Sequence, residues 1–178
     1  VDPPLGRALV LAKGDATLSL GGQNYPLFTN RWGGGSVAPD GSAGLVAFAL
    51  DGKIPCWRFR CGDAVIEHRV WLEPGADTVY AAWKLEGESS GAAWLGVTLL
   101  ANGRDHHGET WPPGFNPELA ADGARLTMHV PWRFRLTVAA NDGHVEPRWD
   151  WYENFDLPVE RERGLGGHLA GEFGLVGQ

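Results

Sequence analysis

Asp-Gly pairs at 40–41, 51–52, 122–123 and 142–143 cut this chain into short segments that alternate in polarity like strands. Asp-Gly is strong turn chemistry, and two of the four are candidates for tight hairpins. The runs are Ala8–Ala12, Thr17–Leu20, Leu45–Leu50, Trp57–Cys61, Val65–Glu73 and Thr78–Leu85. They continue as Ala93–Ala101, Arg125–Val130, Phe134–Ala140 and His144–Trp151. The 26 Gly and 12 Pro favour turns and are costly inside helices. No segment sustains an apolar i, i+3, i+4 pattern with a cap at each end. About ten or more strands at this spacing predict an all-β fold, an antiparallel β-sandwich of two packed sheets with little helix. At 178 residues, the chain is read as a single domain over residues 1–178.

Alternation locates the core. In Val65–Glu73 the set Ile66, His68, Val70 and Leu72 is the more apolar and is expected inside, with Glu67 and Arg69 outside. In Thr78–Leu85 the set Val79, Ala81, Trp83 and Leu85 is the apolar one, which makes Trp83 a core residue. His68 on the apolar face is expected to be a hydrogen-bonded core histidine.

Charge excludes some partners. The 15 Lys and Arg against 22 Asp and Glu leave a net charge of −7. Nucleic acid and an anionic membrane both need a concentrated basic patch, and the basic residues here are scattered. No apolar run approaches the ~20 residues that span a bilayer. The first residue is Val1 and no signal peptide is visible, which reads as a processed chain or a fragment. Cys56 and Cys61, five apart, would point to opposite faces of one strand, which argues against a disulfide between them. Two cysteines alone suggest a cytoplasmic location.

Three segments do not fit the core pattern. The sequence W-D-W-Y-E-N-F-D-L-P-V-E-R-E-R-G (Trp149–Gly164) interleaves rings with carboxylates and an amide. Aromatic faces beside planar hydrogen-bonding groups suit a sugar, whose C–H face packs on a ring while its hydroxyls bond edge-on. The same rings could equally anchor a neighbouring domain. The segment T-N-R-W-G-G-G (Thr29–Gly35) lacks the Lys-Ser/Thr and helix start of a phosphate loop and reads as a contact-making loop. The segment N-G-R-D-H-H-G-E-T-W (Asn102–Trp111) permits three readings. One is a metal site using His106, His107 and Glu109, with His129 or His144 from another strand. The others are an ion-paired loop around Arg104 and a substrate or domain contact. No nucleophile motif is present, and the carboxylates Glu109, Asp150, Glu153 and Asp156 cannot be placed ~5–10 Å apart from sequence.

The blocks T-N-R-W-G-G-G with P-D-G (Thr29–Gly35, Pro39–Gly41), I-P-C-W-R-F (Ile54–Phe59) and E-H-R-V-W-L-E (Glu67–Glu73) share one resemblance. With N-G-R-D-H-H-G-E-T (Asn102–Thr110) and W-Y-E-N-F-D-L-P-V-E-R-E-R-G (Trp151–Gly164), they resemble the N-terminal domain of bacterial and archaeal glycogen debranching enzymes (amylo-α-1,6-glucosidases). The resemblance implies a β-sandwich that precedes an α-helical toroid carrying the catalytic carboxylates. It also implies hydrolysis of α-1,6-glucosidic branches without a metal or other cofactor. Two departures stand out: the family pattern has Tyr where His106 stands, and its domain continues through further strands where this chain has Gly164–Gln178.

On that basis the chain is expected to be a non-catalytic domain, inactive alone. It would pack on the catalytic helical domain of the same polypeptide and help shape its α-glucan site. The candidate substrate-binding or interface residues are Asn30, Arg31 and Trp32; Arg104, Asp105, His107, Glu109 and Trp111; and Trp151, Tyr152, Asn154, Asp156, Glu160, Arg161 and Arg163. Arginines there would bond carboxylates or hydroxyls, and Trp32, Trp111 and Tyr152 would stack. A free-standing carbohydrate-binding module for α-glucans is the rival reading, and a metal-dependent β-barrel enzyme is the third.

Overall fold

The computed structural model describes residues 6–87, 91–105, 108, 110, 115–131 and 133–164, and the backbone of 168–169 and 172–177. In chain order the strands are β1 (Ala8–Leu20), β2 (Gln23–Pro26), β3 (Thr29–Arg31), β4 (Val37–Asp40) and β5 (Leu45–Asp51). Next come β6 (Ile54–Cys61), β7 (Ala64–Leu72), β8 (Val79–Glu86), β9 (Ala93–Asp105), β10 (Glu118–Asp122) and β11 (Arg125–Val130). The last are β12 (Phe134–Ala139), β13 (Val145–Glu146), β14 (Trp151–Tyr152), β15 (Phe155–Asp156), β16 (His168–Leu169) and β17 (Glu172–Gly177), with helix α1 at Pro158–Glu162. The fold is all-β and antiparallel. It divides into two compact units, one of Val1–Ala16, Asn30–Ala38 and Gly96–Gln178, the other of Thr17–Thr29 and Pro39–Leu95.

The first unit is a sandwich. A sheet ordered β13-β17-β9-β1, to which β14 adds through β17, packs on the three-stranded sheet β10-β11-β12. Leu126, Met128 and Val130 of β11 meet Ala101 of β9, Val145 of β13 and Phe115, all nearly or wholly buried. Leu126 and Met128 pair with Val138 and Leu136 of β12, two positions apart, so the apolar side of the hairpin turns to the core.

The second unit centres on the meander β5-β6-β7-β8. Asp51 pairs with Ile54, which makes Gly52-Lys53 a two-residue hairpin loop. Ile66 and Phe59 pair across β6 and β7 and are buried, as the alternation requires. Along the same face Phe48, Trp57, His68 and Trp83 are successive cross-strand partners. Their rings touch in turn, at centroid separations of 5.4, 5.4 and 4.6 Å.

Three expectations about this sheet change. Leu72, expected inside, is 72% exposed, because the apolar face of β7 is covered only toward its Ile66 end. Glu67, expected on the outer surface, is buried. It is on the outer face, but Arg58 (3.1 Å) and Arg69 (2.7 Å) close over its carboxylate. His68 is held by ring stacking, and its buried Nε2 has no hydrogen-bond partner among the described residues.

These two neighbours titrate differently. Burial pushes the His68 imidazole below its ordinary value. Hydrogen bonds from Arg69 and then Arg58 hold the Glu67 carboxyl below its ordinary value. Below about pH 6.5 the unfolded chain takes up a proton that folded His68 resists, so stability falls as the pH drops through that range. Glu67 stabilises the fold above about pH 4.3, and that contribution is lost on further acidification. Melting temperatures between pH 7.5 and 5 should therefore fall less steeply in His68→Phe than in the wild type. Equal slopes would contradict this. Cys56 and Cys61 are both buried and free.

Candidate functional site

Two of the three odd segments converge in the first unit. Trp32 and Phe155 form an isolated antiparallel bridge, and their rings stack at 4.7 Å with 24° between planes. The Gly33 N–H donates to the Asn154 carbonyl at 2.8 Å. A Cβ on Gly33 would overlap Asn154 Oδ1, so a larger residue there would push the Asn154 side-chain amide aside. Asn154 is the one non-glycine residue with positive φ (68°) among the described residues, the conformation that Asn tolerates best. The loop closes on itself through Trp32 N–H to Ser36 O (2.8 Å) and Gly35 N–H to Trp32 O (3.0 Å). The Trp32 indole N–H donates to the Ala38 carbonyl at 2.7 Å. That bond fixes the ring plane.

Beside the stack is a polar core. Asn30, 4% exposed, accepts from Lys13 Nζ and donates to Asp15 Oδ2 at 3.1 Å. Lys13 also pairs with Asp15 (2.8 Å) and stands 5.7 Å from the Phe155 ring centroid. Next along β15, buried Asp156 is gripped by Arg161 and approached by Arg31 Nε at 3.7 Å. Both guanidinium side chains remain about half exposed, 51% for Arg31 and 55% for Arg161. The Asp156 carboxylate drives the Arg161 guanidinium still higher than its ordinary value. Pro158 occupies the start of α1 and Glu160 its first turn, both favourable there, and this short helix presents Arg161 to Asp156. The Glu-Arg run is thus a helical turn anchored at Asp156. Arg163 ends it exposed.

Segment Asn102–Trp111 is tied to the third segment through the sheet. Trp151 of β14 pairs with position 173, and that position pairs with Ala101 of β9. Buried Asn102 accepts from the Gly103 N–H and the Thr110 hydroxyl, both at 2.6 Å. Arg104 donates to the carbonyls of Gly108 (2.9 Å) and Asp105 (3.4 Å), and Arg133 donates to Gly103 O at 3.1 Å. Asp105 is exposed. His106, His107, Glu109 and Trp111 lie outside the described residues, so the metal reading and the stacking role of Trp111 fall there. Among the described residues no three His, Cys, Asp or Glu side chains gather as metal ligands. His129 pairs with Glu118 and His144 with Glu146.

Trp151 is half-buried at the edge of the core, edge-on to Phe115. Tyr152 is half-buried beside it. The sequence reading missed Lys13, Asp15 and Phe155. Polar Lys13 and Asp15, both odd-numbered inside an otherwise apolar run, were the visible signal for two of them.

Asn30, Arg31, Trp32, Asn154, Asp156 and Arg161 thus form one patch: a fixed indole, an amide and two half-exposed cations over a shared carboxylate. Such a patch can present donors to a carboxylate or to sugar hydroxyls. It offers no nucleophile–base pair. No helix among the described residues is long and apolar enough to cross a membrane. Residues 1–168 match the family model described as glycogen debranching enzyme N terminal. No curated protein and no solved structure matches the chain.

Proposed function

The chain belongs to the glycogen debranching enzyme N-terminal family, and from that premise we propose that it is the accessory domain of an α-1,6-glucosidase. In this reading it packs on the catalytic helical domain of the same polypeptide and helps to shape the α-glucan site there. The observation that supports it most is the pair Arg31 and Arg161 around one buried carboxylate. Asp156 balances one of these cations. The other guanidinium is half exposed, on a strand that the Trp32–Phe155 bridge ties to β15.

Arg31 is the outward-acting member. Its contact with Asp156 is long, whereas Arg161 is bound through both nitrogens. A guanidinium placed this way supplies bidentate donors to a carboxylate of the partner domain or to vicinal hydroxyls of a glucan. Asn154 is bonded to Gly33, Glu160 and Arg163 belong to α1 and its cap beside Arg161, and the two buried, free cysteines fit the reducing cytoplasm. The test is debranching by the intact enzyme carrying Arg31→Ala, with melting of the same protein as a control for folding. The reading expects kcat/KM on branched glucan to fall while the melting temperature holds.

A further inference from the structure

The outer face of the β5-β6-β7-β8 sheet carries a second arrangement of rings and planar polar groups, in the other unit. Register places Trp71 opposite Tyr80, Arg69 opposite Ala82 and Glu67 opposite Lys84. These six side chains share one face, because residues two apart in a strand point the same way. The Trp71 and Tyr80 rings stack at 5.2 Å with 18° between planes. Since β8 ends the sheet order, no further strand of the sheet covers the far side of Tyr80, which is 42% exposed. Neither the Trp71 indole N–H nor the Tyr80 hydroxyl has a hydrogen-bond partner among the described residues.

Between Tyr80 and Lys84 stands only the methyl group of Ala82. Two positions four apart on one strand are ~13 Å apart, so the small residue leaves a trough wide enough for a pyranose ring. One wall of the trough is aromatic. Beyond Ala82 the face is polar: Arg69 bonds Glu67 (2.7 Å) and reaches Asp51 (2.8 Å), which is level with Trp71 on β5, and Arg58 links Glu67 (3.1 Å) to Glu86 (3.0 Å). Because these groups already bond each other, they are held in place before any ligand arrives, and Asp51 is 66% exposed.

We propose that this trough is a binding site for a linear α-glucan chain, separate from the Arg31 patch. It would hold an outer chain of the branched polymer by C–H packing on Tyr80 and Trp71 and by hydroxyl bonds to Asp51, Arg69 and Lys84. The choice of an α-glucan rests on the proposed role in a debranching enzyme. The combination of ring and planar polar groups comes from the sheet itself.

Native electrophoresis of the chain through gels containing glycogen, with maltoheptaose as competitor, tests this. Wild type should be retarded, and maltoheptaose should restore its mobility. Tyr80→Ala should weaken binding about five- to tenfold, the loss of one ring contact. Asp51→Ala, at an exposed rim, leaves the stack intact and should weaken it less. Both variants should keep the wild-type circular dichroism. No retardation of wild type, or wild-type retardation of both variants, overturns the site. If Arg31→Ala alone abolishes retardation, glucan binds at the other patch and the trough is overturned. If Tyr80→Ala weakens retardation while Arg31→Ala leaves debranching unchanged, the trough stands and the Arg31 reading fails.

Discussion

Phe155→Ala is expected to destabilise the protein by about 3–5 kcal/mol, the usual cost of emptying a buried Phe site. Phe155 is 6% exposed, forms the only stacking partner of Trp32 among the described residues and lies next to Lys13. For a chain of this length, such a loss lowers the melting temperature by roughly 10 °C. The loss should also reach the patch, because the Trp32 ring would lose its stacking partner and be held by its indole bond to the Ala38 carbonyl. Trp32→Phe retains an aromatic pair and should cost much less. Thermal unfolding followed by near-ultraviolet circular dichroism checks both variants. Equal, small shifts would show that the stack does not support the patch.

Gly41→Ala is expected to cost about 3 kcal/mol or more, near the top of the usual range for overpacking. Gly41 has an ordinary backbone, with φ −80° and ψ −9°, which alanine adopts freely. The obstacle is space. A Cβ there would be 2.6 Å from both the Pro26 and Phe28 carbonyl oxygens and 2.7 Å from the Phe28 nitrogen, all backbone atoms that cannot rotate away. The Gly41 N–H donates to Phe28 O at 2.9 Å, so any shift also loses that bond. Gly75 makes the comparison. Its φ of +78° strains an alanine by about 1–2 kcal/mol, but nothing lies within 4 Å of its Cβ position. Urea unfolding should rank Gly41→Ala as the more damaging, and the reverse order would refute the steric account.

Alternation and turn chemistry made most of the strands legible before any coordinates. The β5–β8 meander and strands β11 and β12 fall close to the expected runs because each alternates, whereas β10 (Glu118–Asp122) is not among them. Departures have local causes. The run expected over His144–Trp151 breaks into β13 and β14 on either side of Pro147, which has no N–H to give a ladder. Ala8–Ala12 and Thr17–Leu20 merge into one strand, because Lys13 and Asp15 are satisfied by Asn30 without leaving it. Helix α1 is five residues long, too short to show a period. Only Pro158 at its start and Glu160 in its first turn could have indicated it.

The site was legible as composition and not as geometry. That Thr29–Gly35 and Trp149–Gly164 depart from the alternating core pattern was visible from rings and charges placed side by side, but the structure buries Asn30, Phe155 and Asp156 and packs Trp151 against the core. That Trp32 meets Phe155, and that Arg31 joins Arg161 at Asp156, depends on pairings more than a hundred residues apart, which no local pattern encodes; only Arg161–Asp156 is local. Glu67 shows part of the same limit: Arg69 is two residues away on its own strand, but Arg58 reaches it from β6.

The most direct measurement is the steady-state kinetics of the intact debranching enzyme with Arg31→Ala on a branched limit dextrin. Arg31 is about half exposed and held only at 3.7 Å, so its removal should leave the fold in place. Losing charge-assisted bonds to a partner carboxylate or to sugar should lower kcat/KM about tenfold or more at unchanged melting temperature. Wild-type kcat/KM in Arg31→Ala would contradict the assignment of this patch to the glucan site.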